Sequence, residues 1–281
     1  MFQYAAARRL AAVHSTEVRI DTTWYERIPE GATARVYELD VLRHSGRPAT
    51  KWDLIGTEGV RNTPLHDLPV ALFRKVRPRY RFVPERHFHF DPSVLSLPDD
   101  VCLFGYWISE KYFLDTAEVI RQEFEFRNPP SPQNQALLDT LATVNSVAVH
   151  VRRGDYANKP EITQRYGLPA PDYYARAAGL IAERDPNPVF FVFSDDLDWA
   201  RENLELGPDV VYVDHNRGEA SPEDLRLMAN SRHNVIANSG FSWWGAWLNP
   251  NPQKTVFAPA AWMADPAFDT SDVVPASWLQ L

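Results

Sequence analysis

The sequence predicts an α/β fold built on a parallel sheet, and two observations support this prediction. In the second half of the chain, short apolar runs alternate with segments of helical periodicity, and 281 residues are enough for two lobes of ordinary size. Strands joined by helices lie parallel and are covered on both faces. The predicted strands are 144–151, 189–193, 209–213, 234–237 and 255–258, and the predicted helices are 171–184, 197–204, a segment opening at 221, and 241–248.

The first half has a weaker pattern. Apolar residues at helical spacing predict a helix from Phe2 to about His14, and the alternation that follows predicts a strand from Glu17 to Asp21. Residues 22–100 are irregular and rich in aromatic residues, arginine and proline. An apolar strand at 101–107 and helical stretches at 110–124 and 135–141 follow. Prolines near 129–132 indicate a break between lobes, and we expect the lobes to span 1–140 and 141–281.

The composition excludes some classes of partner. The net charge of −8 argues against a general binder of nucleic acids or anionic membranes, so an anionic ligand has to meet positive charge locally. The single cysteine, Cys102, lies in an apolar run, which favours core packing and a reducing compartment over a disulfide or a metal site. We expect a cytoplasmic protein with at most peripheral association at the inner face of the membrane.

A string of charged residues follows the predicted strand at 144–151. His150 lies in the strand, and Arg152, Arg153 and Asp155 come directly after it, where parallel sheets collect ligands. Guanidinium groups match phosphate oxygens through two parallel hydrogen bonds. The alternative is a surface arginine pair with Asp155 as its ion-pair partner. The position at the end of a buried strand favours a site for a diphosphate.

Two more sequence motifs lie directly after other predicted strands. Asp195 and Asp196 follow Ser194. One of their carboxylates could accept hydrogen bonds from a guanine edge or from ribose hydroxyls, while the other caps the next helix. Ser239 and Ser242 stand where a strand becomes a helix, so their hydroxyls and the helix amides can donate to an anion. A serine-hydrolase elbow is excluded because all eight histidines precede Ser242. Trp243, Trp244 and Trp247 fit core packing better than sugar stacking.

These strings resemble the bacterial α1,2-fucosyltransferases, which use GDP-fucose. The resemblance covers nearly the whole chain, in 2–5, 10–11, 150–156, 173–174, 193–196, Met228, 234–248 and Trp278. It implies two Rossmann-like lobes facing across a cleft (the GT-B type) and inverting transfer of fucose to O2 of a galactose, with no metal and no other cofactor. It further implies donor binding by residues of the second lobe: His150, Arg152, Arg153, Ser194, Asp195, Asp196, Ser239, Phe241 and Ser242.

The resemblance also implies catalytic roles. Arg152 is expected to bind the β-phosphate, where arginine donors stabilise the charge that develops as GDP leaves. The general base stays open between Glu161, Asp155 and deprotonation assisted by the substrate. The acceptor is expected to be a β-galactoside-terminated oligosaccharide used in surface glycan synthesis, and its binding residues are expected before residue 100.

The chain departs from the family pattern at its start. Family members have a first strand and a Gly-x-Gly-Asn-Gln turn before the Met-Phe-Gln-Tyr helix, whereas this sequence begins at that Met1. We expect the first strand of the N-terminal lobe to be missing, either because Met1 is an internal methionine of a longer chain or because the chain is truncated. The alternative functions are a fucosyltransferase of other acceptor specificity and a non-catalytic remnant that binds a GDP-sugar.

Overall fold

The computed structural model describes residues 1–26, 36–50, 53, 81–154, 157 and 159–281. The chain forms two compact units, Met1–Arg127 and Asn128–Leu281. The division precedes residue 140, where the sequence placed it, because the helix α4 (Pro132–Thr143) contacts the sheet of the second unit. Among the described residues, no helix is long and apolar enough to cross a membrane.

The first unit contains short parallel strand pairs and helices. Within its described residues the helices are α1 (Phe2–His14), α2 (Thr23–Glu26) and α3 (Ala117–Glu123), and the first of these matches the prediction. The strand β1 (Arg19–Ile20) pairs with β2 (Arg47–Pro48), and β3 (Arg81–Pro84) pairs with β4 (Val101–Phe104). The 3₁₀ turns lie at Leu39–Val41, Pro92–Ser96, Glu110–Tyr112 and Leu114–Thr116.

Three predictions for the first unit were too long. The strand expected at 17–21 is limited to Arg19–Ile20. The strand expected at 101–107 ends at Phe104, because the backbone of Trp107 turns into the left-handed region with φ 57°. The helix expected at 110–124 is broken into two 3₁₀ turns and α3, since Phe113 has a non-helical conformation. A polar cluster joins the elements: Glu123 accepts from Arg8 at 2.7 Å and from the hydroxyls of Tyr4 and Ser45.

The second unit is built on a six-stranded parallel sheet. Its strands in chain order are β5 (Asn145–Val151), β6 (Pro188–Ser194), β7 (Val210–Tyr212), β8 (His233–Val235), β9 (Val256–Ala258) and β10 (Leu279–Gln280). Across the sheet they run β7-β6-β5-β8-β9-β10. This is the order of a doubly wound Rossmann sheet, so the α/β prediction is confirmed.

Helices alternate with the strands of this unit, and all of them except α5 lie where the sequence predicted helical segments. Among the described residues they are α4, α5 (Pro160–Tyr166), α6 (Pro171–Arg184), α7 (Leu197–Asn203), α8 (Pro222–Ala229) and α9 (Gly240–Leu248), with a 3₁₀ turn at Gly218–Ala220. Val147, Val149 and Val151 pack in one apolar cluster with residues of α6 and α7. Trp243, Trp244 and Trp247 are buried, so the core interpretation of these tryptophans is confirmed.

The strand order fixes where the site lies in the second unit. The chain passes from β5 to β6 on one side, and β8 later takes the place on the other side of β5. At such a switch point the loops that follow the two central strands diverge, and they leave a crevice beyond the carboxyl ends of these strands. The loops after β5 and β8 are the two that the sequence selected for anion binding.

Candidate active site

Two arginines and two carboxylates form a ladder at the ends of β5 and β6. The parallel register pairs Val151 with Ser194, so the residues that follow meet one another. Arg152 Nη1 lies 2.7 Å from Asp195 Oδ2, and Arg153 Nε lies 3.2 Å from Asp196 Oδ2. The sequence predicts the arginines at a diphosphate and the acids at guanosine or a helix cap, and this pairing between them was not predicted.

Arg153 is held on several sides. Its backbone N–H donates to Asp195 Oδ1 at 2.8 Å, and its guanidinium lies over the Trp199 ring, 3.9 Å from the centroid. Asp196 also caps α7 by accepting from the N–H of Trp199, as predicted for one of the two acids, while its own N–H donates to Ser194 Oγ. These contacts fix the Arg153 side chain against the protein.

Gly154 allows the ladder to close. A Cβ atom at this position would lie 2.4 Å from Asp195 Oδ2. Such a contact is impossible without displacing the carboxylate from Arg152. Glycine is therefore required here by the close approach of the acid.

Tyr174 lies beneath the ladder on the face covered by α6, and the sequence reasoning gave it no role. The side chain is 1% exposed, and its hydroxyl has no hydrogen-bond partner among the residues that the structure describes. Burial raises the pKa of Tyr174 above its usual value, with the charges of Arg153 and Asp195 also acting on it. The hydroxyl therefore stays neutral beside these charged groups. The signal that could have found it is the helical spacing that places it on the buried face of α6.

The loop after β8 supplies the other side of the crevice. Ser239 caps α9 by accepting from the N–H of Phe241 at 3.3 Å. Phe241 is 36% exposed, and its ring centroid lies 5.8 Å from that of His150. Ser242 is fully buried and donates to the carbonyl of Ser239, so its hydroxyl is engaged within α9. This side of the crevice is therefore formed by Ser239, the first backbone amides of α9 and Phe241.

His150 is the titratable group at the end of β5. It alternates with Val149 and Val151, so it lies on the opposite face of the sheet from α6. Its Nδ1 is buried, with no hydrogen-bond partner in the described part of the chain. Burial, and secondarily the charge of Arg152, lower the pKa of His150 to about 3. The imidazole is therefore neutral at physiological pH, and Arg152 faces an uncharged ring.

The two candidates for the general base have different positions. Glu161 is exposed in the first turn of α5, and Asp155 lies outside the described residues. The choice of base stays a prediction.

Asn238 connects α5 to the crevice, because its side-chain amide donates to the carbonyls of Tyr166 at 2.7 Å and Trp262 at 3.2 Å. No role for Asn238 was predicted, although its place directly after the strand predicted at 234–237 is the signal that could have indicated one.

Comparisons with known proteins identify the family. Residues 61–281 match Glycosyl transferase family 11. The chain belongs to this family of glycosyltransferases. It is 36% identical to an alpha-1,2-colitosyltransferase of Escherichia coli over 66% of this chain and 64% of the relative.

Two further relatives extend the comparison. The O-antigen biosynthesis glycosyltransferase WbnK of Escherichia coli is 28% identical over all of this chain and 96% of its own length. Galactoside alpha-(1,2)-fucosyltransferase 1 of Saimiri sciureus is 33% identical over 52% of this chain and 42% of the relative. The chain therefore spans less than two thirds of the colitosyltransferase and less than half of the primate enzyme.

Solved structures give a weaker likeness. The fucosyltransferase NodZ from Bradyrhizobium aligns over 89% of this chain and 88% of its own, with 15% identity and a TM-score of 0.44. This score is too low to support an argument about fold or function. The α/β assignment rests on the sheet order of the chain itself.

Proposed function

We propose that the chain is a galactoside α1,2-fucosyltransferase that transfers L-fucose from GDP-β-L-fucose to O2 of a galactose with inversion, in surface glycan synthesis. The observation that carries the proposal is the arginine–carboxylate ladder opposite the N-terminus of α9 at the switch point. Both features favour a diphosphate at that place. The family and the α1,2 linkage named in its relatives support the reaction.

Inversion requires one displacement at the anomeric carbon. The galactose 2-hydroxyl forms the new C–O bond as the bond to the β-phosphate oxygen breaks, and GDP leaves with the electron pair. Negative charge grows on that oxygen, so a guanidinium aimed at it stabilises the transition state more than the ground state. Asp195 orients Arg152 for this role, while Arg153, fixed by Asp196 and Trp199, keeps the loop in place.

The proton of the attacking hydroxyl has to pass to a base. We propose Glu161, with Asp155 as the alternative, because both are carboxylates near the arginine loop in sequence. Glu161→Gln should lower kcat strongly and leave the affinity for GDP unchanged. Full kcat in this variant would eliminate Glu161 and leave Asp155 or the substrate itself.

We propose that no divalent cation is required. The Arg152 guanidinium and the first amides of α9 supply hydrogen-bond donors where a metal would otherwise neutralise the diphosphate. Treatment with EDTA should leave turnover unchanged. Loss of activity that Mg²⁺ or Mn²⁺ restores would refute this part of the proposal.

The donor sugar has one alternative, which the colitosyltransferase relative favours. Colitose is the same sugar without the 3-hydroxyl, so the two donors can be compared directly. A site that hydrogen-bonds the 3-hydroxyl should prefer the fucose donor by about 10⁴-fold or more in kcat/KM, whereas an apolar contact there discriminates only ~10–200-fold. Turnover of GDP-fucose and GDP-colitose with lactose, together with the product linkage by NMR, decides the donor and the position.

Binding and turnover separate this function from its alternatives. A fucosyltransferase of other acceptor specificity consumes GDP-fucose only with other acceptors, and a non-catalytic remnant binds GDP in calorimetry without turnover. We place the enzyme in the cytoplasm, with at most peripheral contact with the inner face of the membrane, and fractionation of the native host cells tests this. Absence of both GDP binding and turnover would overturn the proposed function.

A further inference from the structure

Three aromatic side chains lie on the β3–β4 pair or directly after it. Phe82 is opposite Cys102 in the register, so Phe82 and Phe104 share a face, and their ring centroids are 5.4 Å apart. Tyr106 follows two residues after Phe104, beyond a bend at Gly105, whose φ is 159°. We call Phe82, Phe104 and Tyr106 the aromatic strip. Its last two members are 53% and 59% exposed.

A half-buried carboxylate, that of Glu85, fixes the backbone at the end of the strip. Glu85 accepts from the N–H of Tyr106 and from the N–H of Trp107, both at 2.8 Å. A Cβ on Gly105 would lie 2.3 Å from Glu85 Cβ, so the acid packs directly against the glycine. This clamp holds the backbone from which Tyr106 projects.

The backbone of Trp107, which donates to Glu85, is locally strained. It has φ 57° and is only 1% exposed, an unusual combination for a bulky residue. Left-handed backbone of this kind persists where surrounding contacts force it, and it is concentrated at active sites and ligand clamps. The strained residue directly follows the exposed Tyr106, at the carboxyl ends of two parallel strands, where ligands of α/β sheets bind.

We propose that the aromatic strip is the acceptor subsite, where Tyr106 stacks against the apolar face of a pyranose ring. This inference rests on the proposed function, because a glycosyltransferase needs a binding surface for its acceptor sugar. The Phe82 and Phe104 rings are 5.4 Å apart, so the strip suits one or two sugar rings and is far smaller than a protein interface. A tyrosine ring offers an apolar body for the sugar face and a hydroxyl for its polar rim.

Steady-state kinetics with lactose and GDP-fucose test the proposal. Tyr106→Ala should raise KM for lactose by about tenfold or more and leave KM for GDP-fucose within about twofold, because only the stacking surface is lost. Tyr106→Phe should keep KM for lactose within about threefold, since the ring remains. Leu114→Ala is the matched control, because Leu114 is a 54% exposed apolar residue of the same unit outside the strip.

Glu85→Gln tests the clamp separately. The variant keeps the size of the side chain but places an NH₂ group against a backbone N–H, so one of the two hydrogen bonds is lost. KM for lactose should rise while GDP binding in calorimetry stays unchanged. An unchanged KM for lactose would show that the clamp does not position the subsite.

A binding measurement keeps this inference separate from the proposed function. Saturation-transfer NMR with lactose and no donor should give signals from the galactose ring protons that Tyr106→Ala weakens and Leu114→Ala keeps. Such signals without any turnover would support the subsite and refute the fucosyltransferase. Turnover with KM for lactose and NMR signals unaffected by Tyr106→Ala would overturn the subsite alone. Neither turnover nor signals across a panel of β-galactosides would overturn both.

Discussion

Asp195 should act through Arg152, and a double-mutant cycle can measure this. In Asp195→Asn, the amide oxygen can still accept from the N–H of Arg153, but an NH₂ group replaces the oxygen that lies 2.7 Å from Arg152 Nη1. The substitution therefore removes one contact of the ladder without changing its shape. Arg152→Ala removes the guanidinium itself.

The expected magnitudes follow from the two contacts. Loss of a donor aimed at developing charge costs about 2.7–4 kcal/mol, so Arg152→Ala should lower kcat by about 10²–10³-fold. Loss of the charge-assisted orienting bond costs about 1.5–3 kcal/mol, so Asp195→Asn should lower kcat by about 10–150-fold. The double variant should be no slower than Arg152→Ala, because the effect of residue 195 on kcat is expected to pass through Arg152, which both variants lack.

The assay is GDP release in the presence of GDP-fucose and lactose, with calorimetry of GDP on each variant. Arg201→Ala is the control, since Arg201 is a surface arginine of the same unit that pairs with Asp198 and Asp214. Because Arg152 and Asp195 are 21% and 27% exposed, loss of their ion pair should change the free energy of unfolding by less than ~1 kcal/mol. Fully additive losses of activity in the double variant would refute the positioning role and favour an independent contact of Asp195 with guanosine.

Three further predictions concern protonation and the loops of the second unit. Burial raises the pKa of Asp224 to about 7, so the stability that it contributes is present below pH ~4 and is lost as the pH rises through about 7. In denaturant titrations, Asp224→Asn should therefore gain stability over the unaltered chain between pH 5 and pH 8. His150, with its pKa lowered to about 3, should stay neutral at physiological pH. Calorimetry should therefore show no step in GDP affinity near pH 6.5, and His150→Gln should have the same pH profile of GDP affinity as the unaltered chain. Asn238→Ala should destabilise the chain by about 1–3 kcal/mol and expose 159–167 to limited proteolysis, because the carbonyls of Tyr166 and Trp262 lose their donor; an unchanged cleavage pattern would contradict this anchoring role.

The sequence predicted the second unit better than the first for a physical reason. Buried parallel strands are continuous apolar runs, and the helix 171–184 has an apolar face, so the pattern located both kinds of element closely. The first unit depends on 3₁₀ turns and on a left-handed Trp107, which leave no periodic signal. The helix α5 was also missed, because its seven residues carry no regular apolar face.

The pairing within the ladder required the register in addition to the motifs. The sequence showed that an arginine pair follows one strand and an aspartate pair follows the next. Only the alignment of Val151 with Ser194 shows that Arg152 then faces Asp195 and Arg153 faces Asp196. Register is set by how the two apolar strands pack as neighbours, which is a tertiary property. Charges at the ends of adjacent strands are therefore organised by the sheet core, and a core substitution that shifted β6 by one residue would separate both pairs at once.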